Sequence, residues 1–521
     1  MRRVELLSVR KLKNLAQELC VDFEIQSEEV CHGIIEFNAP SIVFIIDNRP
    51  EVSSDTVCKL LLDVGNCLNP IKQEKLDFVV EIDNATISAT TKAGDVTKEK
   101  LVDLTIVHIS DVHVDLKYTV GAFSDCDEFA CCREIDTSEN DPESVAGVWG
   151  DYRSCDTPVI ALENALRQIK KQHPQIDAIY FTGDVVDHFI WDTSVDGIKS
   201  GIDKTFNLMT VEFGKIPIFP ILGNHDAQNI FTPACVNDTS LSVQWLYDHV
   251  AELWKGMLPP AALKTVTSGG YYTALVKPGL RMIALNNNVC YVMNWWLLYE
   301  VETIQMQFQW FHDVLLLAER AGEKVHILTH IPSGDEDFHK PCSREFNRIV
   351  DRFHDTISGQ FHGHSEYFGF EIFHKDNEKT LPVNVAYSGG SIATFSGVNR
   401  NYVVYSVDPA NYNVNDVESW TYNLTASNQK ETRKPIWYRQ FSLRQAFNLK
   451  DLLPSTLRNF ATDLSKNMTA FQQLWQMRVR DSDFKLREGC SESCRKEIFC
   501  EMLITDNNDE SKCQKILSGR R

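Results

Sequence analysis

Five short stretches carry the residue types that do chemistry. Leu222-Gly223-Asn224-His225-Asp226 closes an apolar run over residues 216–221 that reads as a short buried strand. An amide and an imidazole are thereby set on a tight turn at a strand's carboxyl end, where open α/β sheets bind ligands. Alone the tetrapeptide says little, since Asn and Gly are common turn residues and a single His is ordinarily surface or satisfied core. Four other stretches repeat the arrangement. Residues 104–109 run into Asp111-Val112-His113 and residues 178–181 into Gly183-Asp184-Val185-Val186-Asp187-His188. Residues 325–328 run into Thr329-His330, and residues 356–361 into His362-Gly363-His364. Five repetitions in one order argue against unrelated turns. Carboxylate, amide oxygen and imidazole suit zinc, manganese or iron rather than calcium. The candidates are Asp111, His113, Asp184, Asn224, His330, His362 and His364. They are too many for one tetrahedral ion and suit two ions that share a carboxylate.

These blocks resemble the calcineurin-like metallophosphoesterases, whose pattern is DxH, GDxxD, GNH followed by D or E, a lone H, and GHxH. The resemblance implies that Asp111, His113, Asp184 and His364 hold one zinc ion. Asp184, Asn224, His330 and His362 hold a second, with Asp184 bridging. Two zinc ions lower the pKa of a bridging water from about 15.7 toward 7 and neutralise charge building at phosphorus. No nucleophilic Ser or Cys motif stands out. A lipid alkoxide leaves only with a proton. His225 follows Asn224 directly and His188 lies four residues beyond Asp184, so both can face the cleft. The resemblance implies that they flank the phosphate as catalytic residues, one protonating the leaving oxygen. Asp187 and Asp226 read as orienters of ligand imidazoles or loop amides. His108, His326 and His339 read as structural.

Alternation of strand and helix signals over residues 101–408 predicts an α/β catalytic domain. The resemblance makes it a two-sheet β-sandwich flanked by helices. Asp156-Thr157-Pro158 reads as a helix start with Pro at the first helical position, followed by an apolar stripe of Val159, Leu162, Leu166 and Ile169. After His364, residues 367–373, 383–387 and 402–407 read as strands closing a second sheet. Residues 1–68 read helical, with Leu12, Leu15, Ala16 and Leu19 at helical spacing. Residues 69–100 read as a polar linker with one strand near 78–82, and residues 440–480 read helical.

This order resembles the acid sphingomyelinases: a partial saposin-like domain (1–68), a linker (69–100), a metallophosphoesterase domain (101–408) and a helical, disulfide-stapled carboxyl-terminal domain (409–521). The resemblance pairs Cys20 with Cys31, Cys126 with Cys131, Cys132 with Cys155, Cys290 with Cys342, Cys490 with Cys494 and Cys500 with Cys513. It leaves Cys58 and Cys67 without their usual partners and Cys235 over, so the first 68 residues are expected to be loosely ordered or docked on the catalytic domain. Two departures concern substrate handling. The linker is not Pro-rich, and Tyr291-Val292-Met293-Asn294 follows Cys290 where some relatives carry an acidic residue.

Composition sets the remaining bounds. A chain of 521 residues with 43% apolar residues is globular and long enough for several domains. A formal net charge of −20 lacks the basic footprint of a nucleic-acid-binding protein and fits work at acidic pH. No apolar run approaches the roughly 20 residues of a transmembrane span. Clustered cysteines, 15 in all, and sequons at Asn84, Asn237, Asn423 and Asn467 point to the secretory route. Residues 1–10 show no signal peptide, so the expected reading is a secreted or lysosomal protein whose true amino terminus lies outside this chain. The function expected from the resemblance is zinc-dependent hydrolysis of sphingomyelin to ceramide and phosphocholine, by a monomer acting on a lipid phosphodiester at a membrane surface. A related phosphodiesterase acting on soluble nucleotides or other phosphate esters is the second reading, and a non-catalytic lipid-binding protein the third.

Overall fold

The computed structural model describes residues 9–53, 56, 57, 60, 76–83, 102–126, 128–134, 144–228, 230–375, 381–429 and 434–509. Two six-stranded sheets form its centre. The strands in chain order are β1 (Leu104–Ile109), β2 (Val114–Asp115), β3 (Thr157–Pro158), β4 (Ala178–Phe181), β5 (Ile218–Pro220), β6 (Tyr272–Lys277) and β7 (Leu280–Ala284). They continue with β8 (Lys324–Leu328), β9 (Ile357–His362), β10 (Phe368–His374), β11 (Pro382–Gly389), β12 (Asn401–Val407), β13 (Val414–Thr421) and β14 (Tyr438–Ser442). The first sheet runs β14-β13-β12-β1-β4-β5 and the second β10-β11-β9-β8-β7-β6, while β2 and β3 form a separate pair.

The sheets meet through aromatic side chains. Tyr180 of β4 lies 5.1 Å from Phe361 of β9, and Phe361 lies 4.8 Å from Tyr405 of β12. Buried polar groups in this layer are matched. His108 meets Tyr405 Oη at 3.1 Å and Thr182 Oγ1 at 2.8 Å, while His326 meets Tyr180 Oη at 2.7 Å and the Tyr412 carbonyl at 2.8 Å. Both histidines are structural. In the helix Val159–Gln172, the face made by Leu162, Leu166 and Ile169 is buried.

Four details differ from the sequence reading. Residues 401–407 join the first sheet rather than the second, because β12 pairs antiparallel with β1. That sheet also runs past residue 408, through β13 and β14. The helix after Asp156 starts at Val159, with Pro158 as its cap and no side-chain capping bond, which leaves Asp156 free for another task. Residues 76–83 form no strand, because side chains take their amides. Glu345 Oε2 accepts from Val80 N at 2.9 Å and Gln309 Oε1 from Glu81 N at 3.0 Å.

The amino-terminal residues form a hairpin of helices Val9–Asp22 and Glu28–Asn48, joined by Cys20–Cys31. The second helix docks on the catalytic sheets' surroundings. Trp295 Nε1 donates to Asn38 Oδ1 at 2.9 Å, and Phe44 lies 5.7 Å from both Trp296 and Tyr299. By length and composition this helix is apolar enough to cross a membrane, with 33% of its apolar window buried here. No purely apolar run announced it, because Asn38, Pro40 and Ser41 interrupt the run without making it polar. The disulfides Cys126–Cys131, Cys132–Cys155, Cys290–Cys342 and Cys490–Cys494 match the pairing expected by resemblance, and Cys235 is a free, exposed thiol. Cys58, Cys67, Cys513 and Asn84 lie outside the described residues.

Helices Pro454–Leu464 and Glu492–Leu503 pack on β10 and β11. From this region Arg480, fully buried, reaches back into the catalytic half. It donates to the Ser391 carbonyl and the Glu366 carbonyl, each at 2.9 Å, and also to Asn401 Oδ1.

Candidate metal centre

Each site block is a turn at the end of a strand. Asp111 and His113 follow β1, Asp184 follows β4, Asn224 follows β5, His330 follows β8 and His364 follows β9. These turns are tight. Asp111, His113, Asp184, His364 and Glu366 all adopt positive φ, between 41° and 66°, a conformation that costs non-glycine residues energy and gathers at functional sites. Glycine lets the loops close on each other. A Cβ on Gly223 would stand 2.1 Å from Asp184 Oδ1, and one on Gly363 would stand 2.2 Å from Ser110 Oγ.

Ring tautomers follow from backbone contacts. His330 Nδ1 meets the Thr182 carbonyl at 2.7 Å and must donate there, so Nε2 is a bare acceptor. It faces Asn224 Oδ1 at 2.9 Å and Asp184 Oδ2 at 3.2 Å. His113 Nδ1 donates to the Val186 carbonyl at 2.8 Å, which turns its Nε2 toward Asp184 Oδ2 at 3.5 Å and Glu366 Oε1 at 3.4 Å. His364 Nδ1 lies 3.0 Å from Asn224 Oδ1. Ligand atoms of Asp111, His113 and Asp184 lie within 4.8 Å of one another, as do those of Asp184, His330 and His364. Lone pairs thus converge on two adjoining points with no hydrogen between them. A buried site tolerates that around cations, and imidazoles oriented by carbonyls are the usual support of metal ligands. The residues fit a pair of divalent ions.

Without a cation, protonation relieves the crowding. Burial pushes Asp111 up to about 7, with Asp184 and Glu366 adding to it against the pull of His330. Burial would lower His330, but Asp184 lifts it to about 9. Burial would raise Asp184, yet the surrounding His330, His225 and His113 hold it well below the usual carboxylate range.

Six of the seven expected ligands therefore come together. His362 does not, since neither of its ring nitrogens hydrogen-bonds any of the other six. It ends β9 on the face opposite Phe361, and its Nε2 lies 3.3 Å from Glu371 Oε1. The expected division, with His364 beside Asp111 and His113 and His362 beside His330, gives way to another, in which His364 stands with Asp184 and His330. Counted from Gly363, the GHxH positions are His364 and Glu366, and His362 precedes the glycine. The groups that face His330 thus include His364 and not His362.

His188 and His225 stand beside this cluster. His188 is sandwiched between His113 and Phe395, each stacked at 3.9 Å, and lies 4.6 Å from His225. Buried Asp156 holds it twice. Oδ1 is 2.6 Å from His188 Nδ1, and Oδ2 accepts from the His188 amide at 2.8 Å. Burial would lower His188, but Asp156 raises it to about 9; burial takes His225 down to about 4. Neighbouring imidazoles pushed in opposite directions are suited to opposite roles in proton transfer. Asp226 accepts from the amides of Val185 at 2.8 Å and Gly223 at 2.8 Å, tying two motif loops together. Asp187 instead pairs with Arg133 at 2.8 Å, which also binds Asp115 and Asp192. Outside Phe395 lies a cavity of about 520 Å³, lined in part by Asp125, Glu128, Tyr152, Tyr367, Phe395 and Phe484.

Residues 104–367 match the calcineurin-like phosphoesterase family, and residues 384–518 match the acid sphingomyelin phosphodiesterase C-terminal region. The sphingomyelin phosphodiesterase of Bos taurus is 32% identical, over 98% of this chain and 81% of its own length. The chain belongs to the sphingomyelin phosphodiesterase family. Sphingomyelin phosphodiesterase 1 of Caenorhabditis elegans is 28% identical over 95% of this chain and 87% of its own. The human cyclic GMP-AMP phosphodiesterase SMPDL3A is 26% identical over 79% of this chain and 90% of its own. As a calcineurin-like phosphoesterase, this sphingomyelin phosphodiesterase relative belongs to proteins with a dinuclear metal centre, and its Asp and His groups are placed to form one. Sequence reasoning missed Asp156 and Glu366. Glu366 is visible by counting from Gly363, whereas no local signal connects Asp156 with His188, 32 residues away.

Proposed function

We propose that this chain is a secreted or lysosomal dizinc phosphodiesterase that hydrolyses sphingomyelin to ceramide and phosphocholine. Asp111, His113, Asp184, Asn224, His330 and His364 would hold the ions, with Asp184 between them. The observation that carries the reading is the convergence of the His113 and His330 Nε2 lone pairs on Asp184 beside a His188 held by Asp156. When bound, two zinc ions supply an activated water and neutralise phosphate charge. The chain supplies the rest. Asp156 fixes the His188 ring and favours its protonated form, so that Nε2 can give a proton to the departing ceramide oxygen. His225, with Nδ1 buried and unpartnered, is available to hydrogen-bond the phosphate. The aromatic faces of the cavity beyond Phe395 suit a quaternary ammonium, while its charged lining, Asp125 and Glu128 with Arg153 and Lys485, is balanced and leaves the choice between choline and nucleotide to the rate comparison.

The test compares initial rates on sphingomyelin in detergent with those on cyclic dinucleotides and aryl phosphodiesters, with zinc restored after chelation. Preference for sphingomyelin supports the reading. A clear preference for nucleotides would replace it with the soluble-phosphodiester alternative, and inactivity on every ester would leave a lipid-binding protein.

A further inference from the structure

We infer that Glu366 is a ligand of the first ion, standing where the GHxH pattern places its second imidazole, so that this site is built from three carboxylates and one histidine. The inference rests on the dinuclear reading above. Three observations support it. Glu366 is buried at positive φ (56°) in the same turn as His364, as Asp111, His113 and Asp184 are in theirs. Its Oε1 lies 3.4 Å from the bare Nε2 of His113, and two ligands about 2.1 Å from one tetrahedral ion stand roughly 3.4 Å apart. The carboxylate is also aimed. Ser396 Oγ donates to Oε2 at 2.9 Å, and Arg480 holds the Glu366 carbonyl at 2.9 Å, leaving Oε1 directed at the site.

Exchanging imidazole for carboxylate changes the donor chemistry. Imidazole favours zinc, whereas carboxylate oxygen favours harder ions such as manganese. One more negative charge also reduces the net positive charge that two divalent ions present to a phosphodiester. The first site therefore discriminates less in favour of zinc than a site completed by histidine, and the second, with Asn224, His330 and His364, keeps its zinc preference.

The full chain, stripped by chelation, is reloaded with zinc, with manganese, or with both in competition. Bound equivalents are read by elemental analysis and manganese by electron paramagnetic resonance, with circular dichroism to confirm folding. The wild type is expected to bind two equivalents. Glu366→Gln should weaken one of them by at least about tenfold. Glu366→His should keep both and shift the zinc-over-manganese ratio of that one upward by about tenfold or more, and His362→Asn should keep both. Two undisturbed equivalents in Glu366→Gln, an unchanged ratio in Glu366→His, or loss of an equivalent in His362→Asn would each overturn the assignment. A wild type that binds no ion would sink the dinuclear reading itself, so the two failures are told apart.

Discussion

At Asp184 three other motif loops meet. Its carboxylate faces His113 and His330 and accepts the His225 amide at 2.9 Å. Asp184→Asn removes the charge both points share and is expected to lose most of the bound metal by elemental analysis. Asp187→Asn, whose native partner is Arg133, should retain its ions. Metal retained equally in both variants would contradict the bridging role. Asp156→Asn addresses the proton. Neutralising the group that holds His188 should slow sphingomyelin hydrolysis by about 10²-fold yet spare a nitrophenyl ester, whose leaving oxygen needs no proton. His188→Ala should show the same split, and equal loss on both esters would remove His188 from that role. Most ligands were legible because each ends an apolar strand, a pattern local in sequence. Asp156 was not, since its partner arrives through the fold. Glu366 escaped because histidines two residues apart around Gly363 imitate a motif that starts at the glycine.

Element by element, strands were easier to find than their partners. Residues 401–407 are nearly all buried, so no alternation tells which sheet they join; the antiparallel register with β1 decides it. The loops between strands are equally specified by close approach. Gly223→Ala would drive a methyl into the Asp184 carboxylate and amide, 2.1 Å and 2.2 Å away. Overpacking of this kind costs about 1–3 kcal/mol. Thermal unfolding should show that loss together with weakened metal binding, whereas an unchanged melting temperature would mean that the β4 and β5 loops can separate freely.

On the scale of the molecule, the amino-terminal hairpin is held mainly through its second helix. Phe44 packs on Trp296 and Tyr299, and Arg49 lies 4.7 Å over the Tyr299 ring. Phe44→Ala is expected to expose the hairpin to limited proteolysis and to reduce hydrolysis of vesicle sphingomyelin more than that of nitrophenyl ester. Loss of both rates in parallel would instead tie the hairpin to the catalytic centre. Docking was one of two outcomes expected from unpartnered cysteines. The sequence did not choose between them, because the face that receives the hairpin comes from residues 295–299, far along the chain.

The reach of Arg480 bears on timing during synthesis. The turn carrying His364 and Glu366 is tied to a guanidinium that leaves the ribosome more than a hundred residues later, and Ser333 and Asn347 beside the same loops bind the Thr505 carbonyl. The first sheet is complete only when residues 401–407 reach β1, and the turn carrying His364 and Glu366 is not clamped until Arg480 is made. Chains ending before residue 480 are therefore expected to retain fewer ions than the full chain by elemental analysis, and equal retention would show that the turn keeps its shape without Arg480.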